Sequence, residues 1–368
     1  MATTEVPRAA RPPGVRSTGA PPGRRRAPAR VRLTWLGCLA LLAVAFATGV
    51  AIGPAGMPAG RVVLEMLDRL PLVSIDSGLD ARQSAILWEL RLPRVVLALL
   101  VGATLSLAGG AYQGVFRNPL ADPWLLGAAA GAGLGATLVL SLGAEGGWGP
   151  FDLLPAAAFV GALVAVGLTY LVGRAAGRGL AGTTTSLILA GVAMANLFTA
   201  VQTYFQQRAD DTLRDVYAWI LGGLSTSGWA EVRLILPWTV LAAAGVLLHR
   251  RSLDVLAVGD EEATTLGLDV DRTRLVVVVA ASLGTAAAVA VSGLIGFVGI
   301  IVPHAIRLLA GHSYRVILPL TLLGGGAFMV LADLAARTAL SPAEVPIGVI
   351  TALVGAPFFL VLLGRRRT

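Results

Sequence analysis

Residues capable of covalent or metal chemistry are few in this chain, and they are not arranged for it. The sequence contains no lysine, so it supplies neither the phosphate-binding lysine of a P-loop nor a Schiff-base amine. Its three histidines, His249, His304 and His312, lack the spacing of a metal site, and its single cysteine, Cys38, rules out an internal disulfide. The sequence therefore predicts no catalytic residue, no metal ligand and no cofactor. If the protein uses ATP, another chain must hydrolyse it.

One charged pair lies within an otherwise apolar stretch. Arg337 follows Asp333 by four residues, so the two side chains can meet on one face of a helix. A structural ion pair explains this spacing. A secondary transporter usually needs ionisable groups within the membrane to carry its coupling ion, and acids are nearly absent from the apolar stretches. A membrane enzyme would need a reactive cluster that the sequence does not contain.

The elements that must position these residues are membrane helices. Of the 368 residues, 56% are hydrophobic and 14% are charged, whereas soluble domains carry about 25% charged residues. Apolar stretches close to the roughly 20 residues that a helix needs to cross a bilayer recur along the chain. We predict ten spans, at 34–53, 92–113, 124–143, 153–173, 183–206, 232–249, 274–292, 295–310, 316–335 and 346–363. Residues 1–33 are rich in arginine and proline, which predicts a disordered tail ahead of a transmembrane unit at 34–365.

The placement of arginine predicts the orientation. With the N-terminus inside, the inner segments hold more arginines than the outer ones, in line with the positive-inside rule. An even number of spans then returns the C-terminus to the cytoplasm. The sequence thus predicts a multi-pass protein of the cell membrane with both termini cytoplasmic, surrounded by the lipid bilayer and without a nucleic-acid partner. Glycines inside the spans, among them Gly131, Gly133, Gly135 and Gly324–Gly326, predict close helix packing.

A polar turn, FRNPLADPWLLG, interrupts the apolar chain after the second span. Pro119 and Pro123 stop one helix and allow the next to start. Asn118 and Asp122 can accept hydrogen bonds from the backbone donors that are freed there. On the predicted topology this turn faces the cytoplasm.

The inner loop, at about 250–273, has the pattern of short helices. Gly259 precedes three acids, which favour the N-terminal end of a helix dipole, and Gly267 suits the position just after a helix end. Short helices at a membrane face suit a knob that docks into the groove of another protein. An ordinary solvated loop would give the same pattern, and the segment alone does not separate the two.

Several ordered blocks carry a resemblance to a known family. They are RLPR (91–94), GATLSLAGGAYQGVFRNPLADPWLLGAAAGAGLG (102–135), TTTSLILAGVA (183–193), WILGGLSTSGW (219–229), LAVGDEEATTLGL (256–268), GLIGFVGIIVPHAIRLLAGHSYRVILP (293–319) and EVPIGVITALVGAPFFLVLL (344–363). From about Arg91 to its C-terminus the chain resembles the FecCD-type permeases. These are the membrane subunits of ABC importers for iron siderophores, haem and vitamin B12.

The resemblance implies a fold and a set of partners. The fold is an all-α polytopic membrane protein of about ten transmembrane helices, with the architecture of a type II ABC importer permease. Two permease subunits, identical or different, would form the pathway, two cytoplasmic ABC ATPases would bind beneath, and an extracytoplasmic substrate-binding protein would deliver the ligand. The permease itself would not be an enzyme. The expected cargo is an iron siderophore, with haem or cobalamin as alternatives; outside the family, the alternative is a secondary transporter.

The resemblance also implies roles for particular residues. A coupling helix that fits a cleft in the ATPase would consist of Gly259, Asp260, Glu261, Glu262, Ala263, Leu266 and Gly267. Arg91, Arg94 and Arg337 would receive acidic side chains of the binding protein, since a planar guanidinium binds a carboxylate through two hydrogen bonds. The cytoplasmic constriction would be formed by the turn from Asn118 to Leu120, together with Thr184 and Thr185.

A further prediction comes from residue spacing alone. Asn196, Thr199, Gln202 and Thr203 recur at helical spacing in the fifth span and could line the pathway. Polar residues that pack between helices would give the same pattern.

Overall fold

The computed structural model describes residues 29–53, 56–69, 76–143, 147–148, 151–176, 183–208, 210–224 and 228–365, and nearly all of them are helical. The α-helices are α1 (Ala29–Ala51), α2 (Ala59–Asp68), α3 (Ala81–Ala85), α4 (Leu92–Val115), α5 (Ala128–Ser141), α6 (Leu153–Ala176), α7 (Thr183–Gln206), α8 (Leu213–Ile220), α9 (Trp229–Leu248), α10 (Arg250–Leu256), α11 (Asp260–Thr265), α12 (Val270–Ser292), α13 (Val298–Ala310), α14 (Tyr314–Thr338) and α15 (Ile347–Arg365). A π-helical stretch, Ile86–Arg91, joins α3 to α4, and 3-10 turns lie at Pro123–Leu126 and Asp210–Thr212. A two-residue hairpin pairs β1 (Gly147–Trp148) with β2 (Phe151–Asp152).

Each of the ten predicted spans is a helix. Among the described residues, seven helices are long and apolar enough to cross a membrane: α1, the continuous helix from Ala81 to Val115, α6, α7, α9, α12 and α14. The remaining three, α5, α13 and α15, are shorter apolar helices. The prediction of a polytopic all-helical protein is therefore confirmed.

Several predicted boundaries lie a few residues from the helix ends, and two of them are wrong for a structural reason. The third span was expected to start at residue 124, but Gly127 has a φ of 78°, and α5 begins only after it. This left-handed residue ends the 3-10 turn, and a regular helix cannot run through it. The first helix begins at Ala29, so residues 29–33 of the predicted tail are helical. Residues 1–28 of that tail lie outside the described residues.

Glycine allows the central helices to touch through their backbones. Most of α4, α12 and α14 is buried, and these helices form the interior of the bundle. A Cβ on Gly102 of α4 would lie 2.2 Å from the carbonyl oxygen of Gly325 in α14. A Cβ on Gly131 of α5 would lie 2.2 Å from that of Gly161 in α6. The prediction of close packing at glycines is confirmed at these two crossings.

The connecting segments gather at two ends of the bundle. We call the end with residues 116–127, 249–269 and 311–313 the inner end. The end with residues 56–69, 76–91, 207–208, 210–224 and 339–346 is the outer end; both names follow the predicted orientation. At the inner end, the Ser313 hydroxyl donates to Asp254 at 2.7 Å. At the outer end, the amide of Ile347 donates to the Gly222 carbonyl at 3.1 Å.

Glu65 holds the first outer segment together. Its carboxylate accepts hydrogen bonds from the hydroxyls of Ser77 (2.5 Å) and Ser84 (2.6 Å) and from Trp88 Nε1 (3.2 Å). The serine bonds favour the ionised form and hold the pKa of Glu65 below its usual value. Their contribution to stability is therefore present at neutral pH and is lost as the pH falls through that lowered pKa. Glu65 thus fixes α2 against the helix that carries Arg91.

Candidate functional site

The inner end carries a short helical knob, α11. Its N-cap, Gly259, has a φ of 136°, and Gly267, just after the helix, has a φ of 85°. The amide of Gly267 donates to Thr264 at 2.9 Å, and the amide of Leu268 donates to Ala263 at 3.0 Å. This is the hydrogen-bond pattern of a glycine C-terminal cap. The predicted start and end of this helix are therefore both confirmed.

The knob has one anchored face and one free face. Ala263 is fully buried against the bundle, whereas the Leu266 side chain is 70% exposed. Glu261 and Glu262 are also exposed. A Cβ on Gly259 would lie 2.1 Å from Oε2 of Glu262, because that side chain folds back over the helix start. The knob therefore presents an apolar tip beside two carboxylates.

Asp260 ties the knob to two other elements. Its Oδ1 lies 3.2 Å from Arg117 Nη2 and 3.1 Å from Arg274 Nη2. Arg117 belongs to the turn at 116–127 and has a φ of 50°, while Arg274 is buried in α12. One carboxylate thus joins the knob, the turn and a central membrane helix. The sequence assigned Asp260 to the knob and gave no sign of these partners.

The turn at 116–127 begins at the inner end with two side-chain caps. Oδ1 of Asn118 accepts from the amide of Leu120, and Oδ1 of Asp122 accepts from the amide of Trp124, both at 3.0 Å. The predicted capping roles of Asn118 and Asp122 are confirmed. Burial raises the pKa of the Asp122 carboxyl to about 6, against the opposing effect of the Trp124 hydrogen bond.

The second half of this turn runs between the helices. A Cβ on Gly191 of α7 would lie 1.9 Å from the Leu125 carbonyl oxygen, and one on Gly296 would lie 3.4 Å from the Trp124 ring. Gly296 belongs to the segment between α12 and α13, which enters from the other end. Two non-helical segments from opposite ends therefore meet within the bundle, where backbone that is buried in protein is tolerated at membrane depth.

The predicted pathway residues of α7 divide between two faces. Asn196, Thr199 and Thr203 are exposed on one face of the helix. Gln202 is buried, and its Oε1 would lie 2.8 Å from a Cβ on Gly133 of α5. Gln202 therefore packs against a neighbouring helix and does not share the face of the other three. Of the predicted constriction threonines, Thr185 is exposed, and the Thr184 side chain lies outside the described residues.

Two of the three predicted docking arginines, Arg94 and Arg337, meet at Asp333 at the outer end, and Arg91 lies beside Arg337. Arg94 Nη2 lies 2.8 Å from Asp333 Oδ1, and Arg337 Nε lies 3.3 Å from Asp333 Oδ2. The predicted pair of Asp333 and Arg337 is therefore confirmed, and it includes Arg94 as well. Arg94 also forms an ion pair with Glu344 at 2.9 Å.

Arg91 and Arg337 are buried, and the Arg94 side chain is 12% exposed, whereas a docking role predicts arginines that are open to a partner. Arg91 donates to the carbonyl oxygens of Val50 (3.0 Å) and Ala51 (3.2 Å), and Arg337 donates to that of Gly49 (2.5 Å). The reason is the C-terminal end of α1, whose last carbonyl groups have no partner within the helix and accept from guanidinium groups instead. Arg91 and Arg337 therefore cap the C-terminal end of α1. Arg94 does not take part in this cap and instead pairs with Asp333 and Glu344.

Sequence reasoning missed Glu344 and Gln113. Gln113 is buried in α4, donates to the Gly299 carbonyl at 3.1 Å and accepts from Arg307 at 2.8 Å. Glu344 opens the EVPIG block, and the only signal in the sequence was Arg337, seven residues earlier. Both residues join segments that are distant in the chain.

An acidic recess opens at the outer end, separate from the arginine cluster. Its volume is about 730 Å³, and its lining includes Asp152, Asp215, Glu231 and Trp219. Among the residues that the structure describes, no three His, Cys, Asp or Glu side chains are grouped to hold a metal ion. The outer end thus carries charge of both signs.

The apolar helices of this bundle define a multi-span membrane protein. The chain belongs to the FecCD transport family, which matches residues 41–365. It is therefore the permease subunit of an ABC importer in the inner membrane, and ATP hydrolysis lies in separate subunits. The predicted family membership is confirmed.

Named relatives and one solved structure agree with this family. The chain is 39% identical to the cobalamin import system permease BtuC of Halobacterium salinarum, over 92% of this chain and 90% of that protein. It is 40% identical to the hemin transport system permease HmuU of Yersinia pestis, over 76% of this chain and 84% of that protein. A solved inward-facing structure of a metal-chelate type ABC transporter matches with a TM-score of 0.76 and 30% identity, over 91% of this chain and 99% of that one.

Proposed function

We propose that this permease forms half of the pathway of an ABC importer for a large metal chelate, delivered by an extracytoplasmic binding protein. The observation that supports this best is the arrangement of its two ends. A knob joined through Asp260 to the turn and to α12 lies at one end, and a positively charged cluster lies at the other. In this proposal residues 34–365 form the transmembrane unit, the loop at 250–273 is its coupling segment, and both termini are cytoplasmic.

A second permease subunit, identical or different, would complete the pathway at α7. Asn196, Thr199 and Thr203 expose polar side chains on a helix that is long and apolar enough to span the membrane. Polar groups facing lipid are costly, so a partner subunit or a water-filled pathway suits this face better than acyl chains.

The knob would dock into a cleft of the ATPase. Its tip combines the exposed Leu266 with Glu261 and Glu262, and Ala263 anchors it to the bundle. An exposed apolar side chain on a rigid short helix suits insertion into a groove. Because Asp260 contacts Arg117, a movement of the knob would reach the turn at Asn118–Leu120, which we propose as part of the inner constriction together with Thr184 and Thr185.

The arginine cluster would receive the binding protein. Arg94 and Arg337 pair with Asp333 and Glu344, and among the described residues Arg91 bonds only to backbone carbonyls, so the cluster carries excess positive charge. Arg94 is the member of the cluster that can reach a partner, because its side chain is 12% exposed and lies beside the 35% exposed Glu344. Such a surface suits acidic side chains on a partner, and complementary charge mainly sets encounter rate and register.

Three metal chelates are candidates for the cargo: an iron siderophore, haem and cobalamin. The sequence predicts an iron siderophore, whereas two named relatives are permeases for cobalamin and hemin. Their similarity favours a tetrapyrrole-type metal chelate as the cargo, with the iron siderophore as the alternative.

Uptake by the reconstituted complex tests this function. The permease would be placed in proteoliposomes with its ATPase and binding protein, and labelled cobalamin, iron-labelled haemin and an iron-labelled siderophore would be offered in turn. We expect ATP-dependent accumulation of cobalamin or haemin. The matched control replaces the P-loop lysine of the ATPase and should abolish uptake. Uptake that persists in this control would contradict the proposal in favour of a secondary transporter, and uptake of the siderophore alone would favour the alternative cargo.

A further inference from the structure

The guanidinium group of Arg94 is occupied by carboxylates of its own chain. Nη1 and Nη2 donate to the two carboxylate oxygens of Glu344, both at 2.9 Å, and Nε donates to Asp333 at 2.9 Å. Two parallel charge-assisted bonds between a guanidinium and a carboxylate are the geometry in which arginine recognises acids most strongly. Glu344 therefore takes the position that an incoming carboxylate would need.

The two carboxylates differ in how easily they can leave. Asp333 is fully buried between Arg94 and Arg337, and its removal would leave buried charges without a partner. The Glu344 side chain is 35% exposed, and it belongs to the exposed segment between α14 and α15. The Glu344 side chain can rotate towards solvent without exposing the buried core. Glu344 is thus the exchangeable partner of Arg94, and Asp333 is the fixed one.

We propose that Glu344 is an internal stand-in for the binding protein. It holds Arg94 in the free permease and is displaced when an acidic side chain of the binding protein arrives. This inference rests on the docking role proposed above for the arginine cluster. The partner chemistry is a carboxylate presented on a protein surface, because that is the group whose geometry Glu344 reproduces.

The exchange would also reach a membrane helix. Val345, next to Glu344, donates its amide to Ala336 at 2.9 Å, and Ile347, at the start of α15, donates to Gly222. Backbone hydrogen bonds therefore hold this segment to α14 and to the loop at Gly222. Among the described residues, its only ion pair is that of the Glu344 side chain. Release of that side chain loosens the segment that leads into α15. Docking of the binding protein would therefore change how firmly the outer end of this helix is held.

Affinity measurements on variants test the stand-in role. The permease–ATPase complex would be held in lipid nanodiscs, and association of the cargo-loaded binding protein would be followed by biolayer interferometry. We expect Glu344→Gln to raise affinity by about three- to tenfold, since the amide gives up one of the two fork bonds and the charge. Arg94→Gln should lower affinity, and in the double variant the gain from Glu344→Gln should disappear. Glu89→Gln, an exposed glutamate at the same end, is the matched control and should bind as the unmodified protein does.

The outcomes separate this inference from the docking role. If Arg94→Gln weakens binding and Glu344→Gln leaves it unchanged or weaker, the stand-in role is overturned and docking at the arginines is retained. If Arg94→Gln has no effect, both are overturned. Glu344→Asp keeps the charge but withdraws the carboxylate by one methylene, so it should give a smaller gain. It serves as the test if Glu344→Gln fails to assemble.

Discussion

Two aspartates each bridge two arginines, and their surroundings suit them to different tasks. Asp333 is fully buried between Arg94 and Arg337, whereas the Asp260 side chain is 12% exposed between Arg117 and Arg274. Loss of one partner from a buried ion pair costs about 3–5 kcal/mol, because the other charge stays buried and unpaired. The Asp260–Arg117 pair differs, because the Arg117 side chain is 41% exposed and exposed pairs cost far less to rearrange. Asp333 therefore suits a fixed joint, and Asp260 suits a joint that can exchange partners during transport.

Asp260→Asn is expected to uncouple ATP hydrolysis from transport. Asparagine keeps the size of the side chain but removes the charge that holds Arg117 and Arg274, so the knob should still bind the ATPase while moving the turn less effectively. We expect the uptake per ATP hydrolysed in proteoliposomes to fall by about fivefold, which corresponds to roughly 1 kcal/mol. The matched control is Asp271→Asn, an exposed acid at the start of α12. Equal ratios for the two variants would contradict a transmitting role for Asp260.

At this scale, sequence reasoning found local features and missed long-range ones. The start of the knob was predictable because glycine and acids at a helix N-terminus act within one turn. The contact of Asp260 with Arg117 was not, because it joins distant parts of the chain and depends on the left-handed backbone of Arg117. Arg91 falls in the outer loop just before the predicted span at 92–113, and the sequence gives no sign that its side chain is buried. Its burial depends on where α1 ends.

At the scale of helices, the central contact is the crossing of α4 and α14. Gly102 and Gly325 bring backbone against backbone there, and each Cβ would lie within 2.4 Å of the other residue's carbonyl oxygen. A flexible side chain could move aside to admit a larger residue, but a helix backbone cannot do so cheaply. This crossing therefore fixes the spacing of the two helices that carry Arg94 and Arg337.

Gly102→Val is expected to destabilise the bundle. The added side chain meets the Gly325 carbonyl, so the helices must separate, at a cost of about 3 kcal/mol, the upper end of the usual range for overpacking. The measurement is the apparent melting temperature in detergent, followed by size-exclusion chromatography with fluorescence detection. Gly167→Val in α6 is the matched control, because nothing lies within 4 Å of its Cβ position. A drop for Gly167→Val as large as that for Gly102→Val would refute the close contact as the cause.

Hydrophobic length predicted which segments are helices but not where they are broken. The stretch WLLG is apolar and was read as the start of a span, yet it forms a 3-10 turn that ends at Gly127. Residues 86–91 were assigned to an outer loop, yet they form a π-helix continuous with α4. Hydropathy does not detect either feature, because both depend on the backbone geometry of single turns.

At the scale of the whole molecule, the knob must meet a partner beyond this chain. Leu266→Asp is expected to weaken binding of the ATPase by about tenfold or more, since it replaces a 70% exposed apolar side chain at the tip with a charge. The measurement is copurification of the ATPase with the tagged permease at graded salt. Leu340→Asp is the matched control: it makes the same change at a similarly exposed leucine (66%) on the outer end. Equal recovery of the ATPase with both variants would rule out docking through the knob.

The uncovered face of α7 tests the proposed pathway of the assembled transporter. Asn196 and Thr199 lie on that face, and cysteines there should react with a charged, water-soluble thiol reagent if water reaches it. Replacing Cys38, the single cysteine of the chain, by alanine gives the background. Val164→Cys on α6 is the matched control, because Val164 is 47% exposed on an apolar membrane helix. We expect labelling of Asn196→Cys and Thr199→Cys, with Val164→Cys unlabelled, because a thiol that faces acyl chains stays protonated and out of reach of a charged reagent. If all three resist labelling in the assembled complex, α7 faces lipid or a dry subunit contact, and the pathway must lie elsewhere.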